Sequence, residues 1–184
     1  MKISHLTLLL LVLVSYTSCT SNKLSEEFKC SSPAFSNLEE ITDFKKNFVM
    51  KLPKNWKTNL YYDEVVSSIY TADTTLSFKE TVIIDASFIS NPIEINKEFI
   101  NKIKAENKQE NLEEVVSKEI KFLNKKAFYN YVSGKKGKYS YHLLNVFTKA
   151  DLGFMHIKTE IYGDSLVDER LCKAVKLIDK MHLK

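Results

Sequence analysis

Arginine occurs once in this 184-residue chain, at Arg170, although 27 residues are basic. Phosphate and nucleic-acid surfaces favour arginine's planar, bidentate fork, so its scarcity argues against both as partners. The formal charge of +4 is small, and the abundance of Lys, Asn and Ile reads as the product of an AT-rich genome. Glycine is nearly as scarce, with four residues, which leaves no phosphate-cradling loop and no G-x-S-x-G nucleophile elbow. Three cysteines without a C-x-x-C pair exclude a thioredoxin-type redox centre, and they are too few for a zinc site. No cofactor or metal is expected. Long apolar runs are missing too. Leu8 to Val14 falls far short of the roughly 20 residues that span a bilayer.

That short run sits in a telling place. Met1 to Val14 combines one positive charge, Lys2, with an apolar stretch interrupted only by Thr7, and small polar residues follow. A charged start, a short apolar middle and a small-residue end describe an export signal, here residues 1–18. Thr17-Ser18-Cys19-Thr20-Ser21-Asn22 at the seam resembles the lipobox of bacterial lipoproteins. The resemblance implies cleavage before Cys19, a diacylglyceryl thioether on its sulfur and an acyl chain on its nitrogen. Two or three chains anchor stably where one binds only reversibly. The alternative is an ordinary signal peptide with an incidental cysteine. Thr20 is not aspartate and no acidic residue follows at once, so the expected location is the periplasmic face of the outer membrane, with the cell surface as the alternative. Residues 19–37 are expected to form the lipidated cysteine and a flexible tether, since Thr20 to Asn37 is polar and lacks sustained periodicity. Such a tether reaches ~60 Å extended and ~25 Å as a coil.

Residues 38–184 read as one domain. Phe48, Met50 and Leu52 alternate as a strand, Pro53-Lys54-Asn55 turns, and Trp56, Thr58, Leu60 and Tyr62 continue on one face of a second strand. "SSIYTAD" and "ETVIIDASFI" are β-rich. Beyond Pro92, Ile95, Phe99 and Ile103 mark one face of a helix. Four further strands are expected at Glu114–Phe122, Phe128–Ser133, Tyr139–Thr148 and Phe154–Tyr162, joined by short turns that favour an antiparallel meander. A last helix carries Val167, Leu171, Ala174, Val175 and Ile178 as its apolar stripe, with Ser165 and Asp168 spaced as a capping box. The fold class is therefore α+β: an antiparallel sheet with a middle helix and a C-terminal helix packed on it. "FVMKLPKNW", residues 48–56, together with this element order, resembles the PsbP-like family and its F-x-[apolar]-x-x-P-x-x-W entry hairpin. The resemblance implies a non-enzymatic accessory or binding module.

Candidate site residues fall into small groups. Cys30 and Cys172 are an even pair in an exported chain, and Cys172 lies about 140° from the centre of its helix's apolar stripe, where a passing N-terminal segment can meet it. A disulfide and two independent thiols both fit. His142 and His156 fall on adjacent strands without further ligands at metal spacing, and Asp73 and Asp85 are carboxylates on strand-like segments; ordinary sheet positions account for all four. Tyr61, Tyr62 and Tyr70, beside Asp63 and Glu64, are the candidate protein contact. Alternation puts Tyr62 with Trp56 in the core and turns Tyr61 outward. Lys135, Lys136 and Lys138 crowd one hairpin tip between Tyr129, Tyr131, Tyr139 and Tyr141, a candidate contact for anionic lipid or glycan. The expected function is a non-enzymatic, lipid-anchored accessory protein with an envelope protein partner. A small-ligand carrier is the alternative, then a hydrolase whose site is assembled from distant residues. Cys19→Ala should release the protein from membranes in fractionation or leave it as unprocessed precursor; normal processing and retention would remove the lipoprotein reading.

Overall fold

The computed structural model describes residues 23–31 and 35–184. Its elements run α1 (Leu24–Glu27), β1 (Leu38–Thr42), β2 (Phe48–Pro53), β3 (Lys57–Tyr62), β4 (Val66–Ala72) and β5 (Ile83–Ile89). They continue with α2 (Lys97–Gln109), β6 (Glu113–Phe122), β7 (Lys125–Lys136), β8 (Tyr139–Ala150), β9 (Gly153–Tyr162), α3 (Val167–Ile178) and β10 (His182–Leu183). Seven strands form one antiparallel sheet in the order β3-β4-β5-β9-β8-β7-β6, and β1-β2-β10 form a second, smaller one. This is the α+β architecture expected, with one difference in wiring. β2 and β3 do not pair as a hairpin. β2 is buried along most of its length and is taken by β1 and β10, so the Pro53–Trp56 turn carries the chain from one sheet to the other.

Burial explains the layering. One face of the large sheet presents Ile69, Ile84, Ala86, Leu144, Val146, Met155 and Ile157, all fully buried under α3, β2 and α1. α3 contributes Leu171, Ala174, Val175, Leu177 and Ile178. The opposite face is covered mainly by α2, whose N-cap Asn96 accepts a bond from Phe99 N at 2.9 Å, while Phe78 of the β4–β5 connection packs on Tyr139 and Tyr162 at one end. α2 covers the part of the sheet holding Phe128 and Phe147.

The expected cap of α3 is absent. Leu166, at the N-cap, takes a left-handed conformation (φ 49°) that turns Ser165 away from the first helical turn, and no side chain caps it. The chain's single arginine holds this end instead. Arg170 is 3% exposed, and its guanidinium donates to the carbonyls of Lys79, Thr81, Tyr162 and Gly163 at 2.8–3.1 Å. It is a structural staple between α3, the end of β9 and the β4–β5 connection.

Residues 23–31, expected to belong to the tether, are docked. Leu24 is fully buried, and Phe28 packs on Tyr129 and Tyr131 with ring centroids 5.3 and 6.0 Å apart. Asp179, just past α3, accepts from the N–H groups of Leu24 (2.7 Å) and Ser25 (3.0 Å) and caps α1 from across the fold. Glu27 pairs with Lys118 at 2.8 Å. Cys30 and Cys172 are joined, with Cα atoms 5.3 Å apart and a sequence separation of 142. The sequence sign of docking is small: Leu24 and Phe28 are one helical turn apart in an otherwise polar stretch. Cys19 and the proposed signal lie outside the described residues.

Arg170→Met should destabilise the domain by about 3 kcal/mol, because four carbonyls lose a charged donor in a buried place. Thermal unfolding should fall by about 8 °C, and Arg170→Lys should lie between the two. Equal melting of all three proteins would contradict the staple.

Candidate functional site

The half of the large sheet that α2 leaves uncovered carries an unusual amount of polar chemistry. Strand register aligns Asn59, Tyr70, Asp85, Lys158, Asn145 and Asn130 in one row across β3, β4, β5, β9, β8 and β7. The next row is Tyr61, Ser68, Ser87, His156, Phe147 and Phe128. Directly opposed residues share a face, so both rows lie on the α2 side. At the covered end, Asn107 of α2 donates to Asn130, whose own amide donates to Glu114 at 3.2 Å. Towards β3 the rows emerge into solvent.

Between α2 and the sheet lies a cavity of about 390 Å³, with Phe99, Ile103 and Glu106 on the helix side and Phe147, His156 and Lys158 on the floor. His156 donates from Nε2 to Asn145 Oδ1 at 3.0 Å and stacks on Phe147, centroids 4.3 Å apart. Burial, and then the charge of Lys158, push its pKa down to about 3, so the ring is neutral at physiological pH. Lys158 pairs with Asp85 at 3.2 Å, and Ser87 donates to Asp85 at 2.9 Å. Tyr141 donates to Glu160 at 2.5 Å; burial and that bond raise its pKa. Tyr70 is raised as well, by burial first and then by Glu160 and Asp85. The face thus offers neutral hydrogen-bonding groups and internally paired charges.

The tyrosine group divides across the sheet. Tyr61 is 57% exposed on the open face, edge-on to Tyr70 at 6.5 Å. Tyr62 lies on the other face and is 58% exposed rather than in the core with Trp56. β3 is an edge strand that runs out beyond the covering layer, so alternation there separates two solvated faces. Tyr62 instead stacks flat on Phe44, 3.7 Å between centroids.

The lysine tip also differs from expectation. Tyr129, Tyr131 and Tyr141 are buried. Lys136 folds back over the rings of Tyr141 (4.7 Å) and Tyr162 (5.8 Å) and pairs with Glu160 at 3.3 Å. Lys138 lies 5.4 Å from the Tyr139 centroid. Of the group, Lys135 is an exposed residue with no cation–π contact among the described residues. Two of the three lysines are therefore engaged by the protein's own aromatics and carboxylate.

His142 and His156 do not meet: they pair with Ile161 and Phe147 and lie on opposite faces. Asp73 bonds to Thr75 in the loop after β4, while Asp85 serves Lys158. Among the described residues no three His, Cys, Asp or Glu side chains are grouped to hold a metal ion. Tyr61 and Tyr70 are legible in the sequence, and the Asp85–Lys158–Asn145 row is not. That row depends on β5 pairing with β9, some 70 residues later.

No protein-family model and no curated protein matches the chain. Solved structures do. Cyanobacterial PsbP (CyanoP) from Synechocystis sp. PCC 6803 superposes with a TM-score of 0.56 over 84% of this chain and 97% of its own, at 10% identity. The fold is PsbP-like. The Ran-binding protein Mog1p of Saccharomyces cerevisiae shares it with a TM-score of 0.52, covering 81% of this chain and 96% of its own, at 8% identity.

The pH dependence of His156 follows from its depressed pKa. The unfolded chain takes up the proton near pH 6.5 and the folded one only near 3. Its stabilising contribution is therefore complete above 6.5 and is lost as pH falls towards 3. Wild type should lose up to about 3 kcal/mol more between pH 7 and 4.5 than His156→Gln. Urea midpoints at the two pH values decide this, and parallel losses would contradict a buried neutral ring.

Proposed function

We propose that this protein is an exported, lipid-anchored accessory protein of the bacterial cell envelope that works by binding, not turnover. The carrying observation is the open half of the sheet, where Tyr61 projects beside Tyr70 at the end of a row of paired and neutral polar groups. Exposed tyrosines backed by a rigid sheet suit protein recognition, because they add contact area at little entropic cost. The Asp85–Lys158 pair and neutral His156 favour a partner of mixed polarity over a polyanion.

The Cys30–Cys172 bridge supports an oxidising address, since such bonds persist outside the cytosol. With the lipobox resemblance at Cys19, the favoured location is the periplasmic face of the outer membrane. A small-ligand carrier is the second reading, and the cavity beneath α2 favours it. A hydrolase is less well supported. The titratable groups that converge there bond to one another, and His156 at about 3 is a weak base.

Capture of partners by the native lipoprotein, compared with Tyr61→Ala, tests the binding surface. A hot-spot tyrosine should cost about 2 kcal/mol, roughly thirtyfold in affinity, with the fold intact. Recovery of the same partners at unchanged affinity would exclude this face.

A further inference from the structure

The two edges of the large sheet are built differently. β6 is lined with charge (Glu113, Glu114, Lys118, Glu119, Lys121), and its register slips between Glu114 and Val116. Charge and bulges are the devices that keep an edge from pairing with another chain. β3 has one charge, Lys57, and pairs with β4 without a slip. Asp63 N donates to Val66 O at 2.9 Å, so odd-numbered residues here turn their backbone groups towards β4. Thr58, Leu60 and Tyr62 therefore turn theirs away from the sheet. Around them Phe44 (54%), Leu60 (42%) and Tyr62 (58%) are exposed apolar surface.

We propose that the β3 edge pairs with β3 of a second copy of this chain, antiparallel about a two-fold axis at Leu60. Identical strands expose the same backbone groups, so opposed positions must sum to an even number. Full overlap of residues 57–63 sets that sum at 120. Leu60 then faces Leu60 of the second copy, Thr58 faces its Tyr62, Asn59 its Tyr61 and Lys57 its Asp63. Lys57 has no ion pair among the described residues, and Asp63 spends Oδ1 on the N–H groups of Val65 and Val66. The two-fold axis makes the Lys57–Asp63 pair twice, once at each end. Slipping to a sum of 118 or 122 would set Lys57 against Tyr61 or Val65 and lose both pairs. On the α3 side, Phe44 and Tyr62 of each copy cover the Leu60 contact.

The interface is small and belongs to the transient size class. Confinement to one membrane surface by the proposed anchor would raise the effective concentration of the two copies. The dimer would also merge two open faces into one, with Tyr61 of each copy beside Asn59 of the other. The pairing goes beyond the partner-binding reading and does not need it.

Cysteine cross-linking of the full chain in its own envelope tests the register. In such a ladder the hydrogen-bonded Leu60–Leu60 pair lies about 5.5 Å apart between Cα atoms and the non-hydrogen-bonded Asn59–Tyr61 pair about 4.5 Å, both within disulfide range. Leu60→Cys should give a disulfide-linked dimer on a non-reducing gel. Asn59→Cys and Tyr61→Cys should link to each other when co-expressed and not singly. Leu152→Cys, 82% exposed at the β8–β9 turn, sets the background. Adding Lys57→Glu to Leu60→Cys should cut dimer yield about fivefold by replacing two attractions with repulsions. Cross-linking of Leu60→Cys no greater than that of Leu152→Cys overturns the proposal, as does yield unaffected by Lys57→Glu. Partner capture by Tyr61→Ala and this cross-link are separate readouts, so the two readings fail independently.

Discussion

Helix α3 is seated by apolar atoms along its length and pinned by polar ones at both ends, and the other layers take their places from that seat. Leu171, Ala174, Val175 and Ile178 fill the centre of the sheet's buried face. At the N-terminal end, burial opposes Arg170's charge, and no carboxylate bonds to it among the described residues. Four carbonyls partly offset that desolvation, so the arrangement works only while Lys79, Thr81, Tyr162 and Gly163 stay converged. At the C-terminal end Asp179 organises α1. One helix thus gathers the β4–β5 connection, the end of β9 and the N-terminal segment.

The asymmetry of the sheet follows. With α3, α1 and the small sheet all on one face, the other has α2 as its one helix among the described residues, with Phe78 packed beside it on Tyr162, and thirteen helical residues cannot cover seven strands. The uncovered strands cannot be apolar on that side, so polar residues fill it and bond sideways to one another. Asp85 to Lys158 and Ser68 to Ser87 are cross-strand solutions to that problem, and His156 to Asn145 and Tyr141 to Glu160 continue the pattern beneath α2, where burial demands a partner. The polar face and the shortage of covering structure are one fact seen from two sides.

Much of this could be read from the chain. Strands β6 to β9 are β-rich runs that meet at short turns such as Leu123-Asn124 and Gly137, so their existence, order and antiparallel sense were legible. What escaped depends on partners distant in sequence. β1 and β10 are short strands that exist because β2 lies between them. The hairpin expected at Pro53 looked local, yet β2's burial on both sides binds it elsewhere. Tyr62 followed the right periodicity but lacked a layer to be buried beneath. Arg170 was informative by its rarity, while its role required four carbonyls from two segments distant in sequence. Tyr61 and Tyr70 could be found because neighbouring strands bring them together. The row beyond them could not.

The bridge between Cys30 and Cys172 also determines how the domain bears mechanical load. A pull applied upstream of Lys23 first meets the Asp179 clamp, then passes through a covalent bond into the middle of α3. β1 is held to β2 by hydrogen bonds that tension at Leu38 would open one after another, like a zip. With the bond intact that seam is never loaded, and the force must instead drag a whole helix from its seat in shear. Reduction would return the seam to the line of force, so the redox state of one bond sets whether the domain yields strand by strand or as a block.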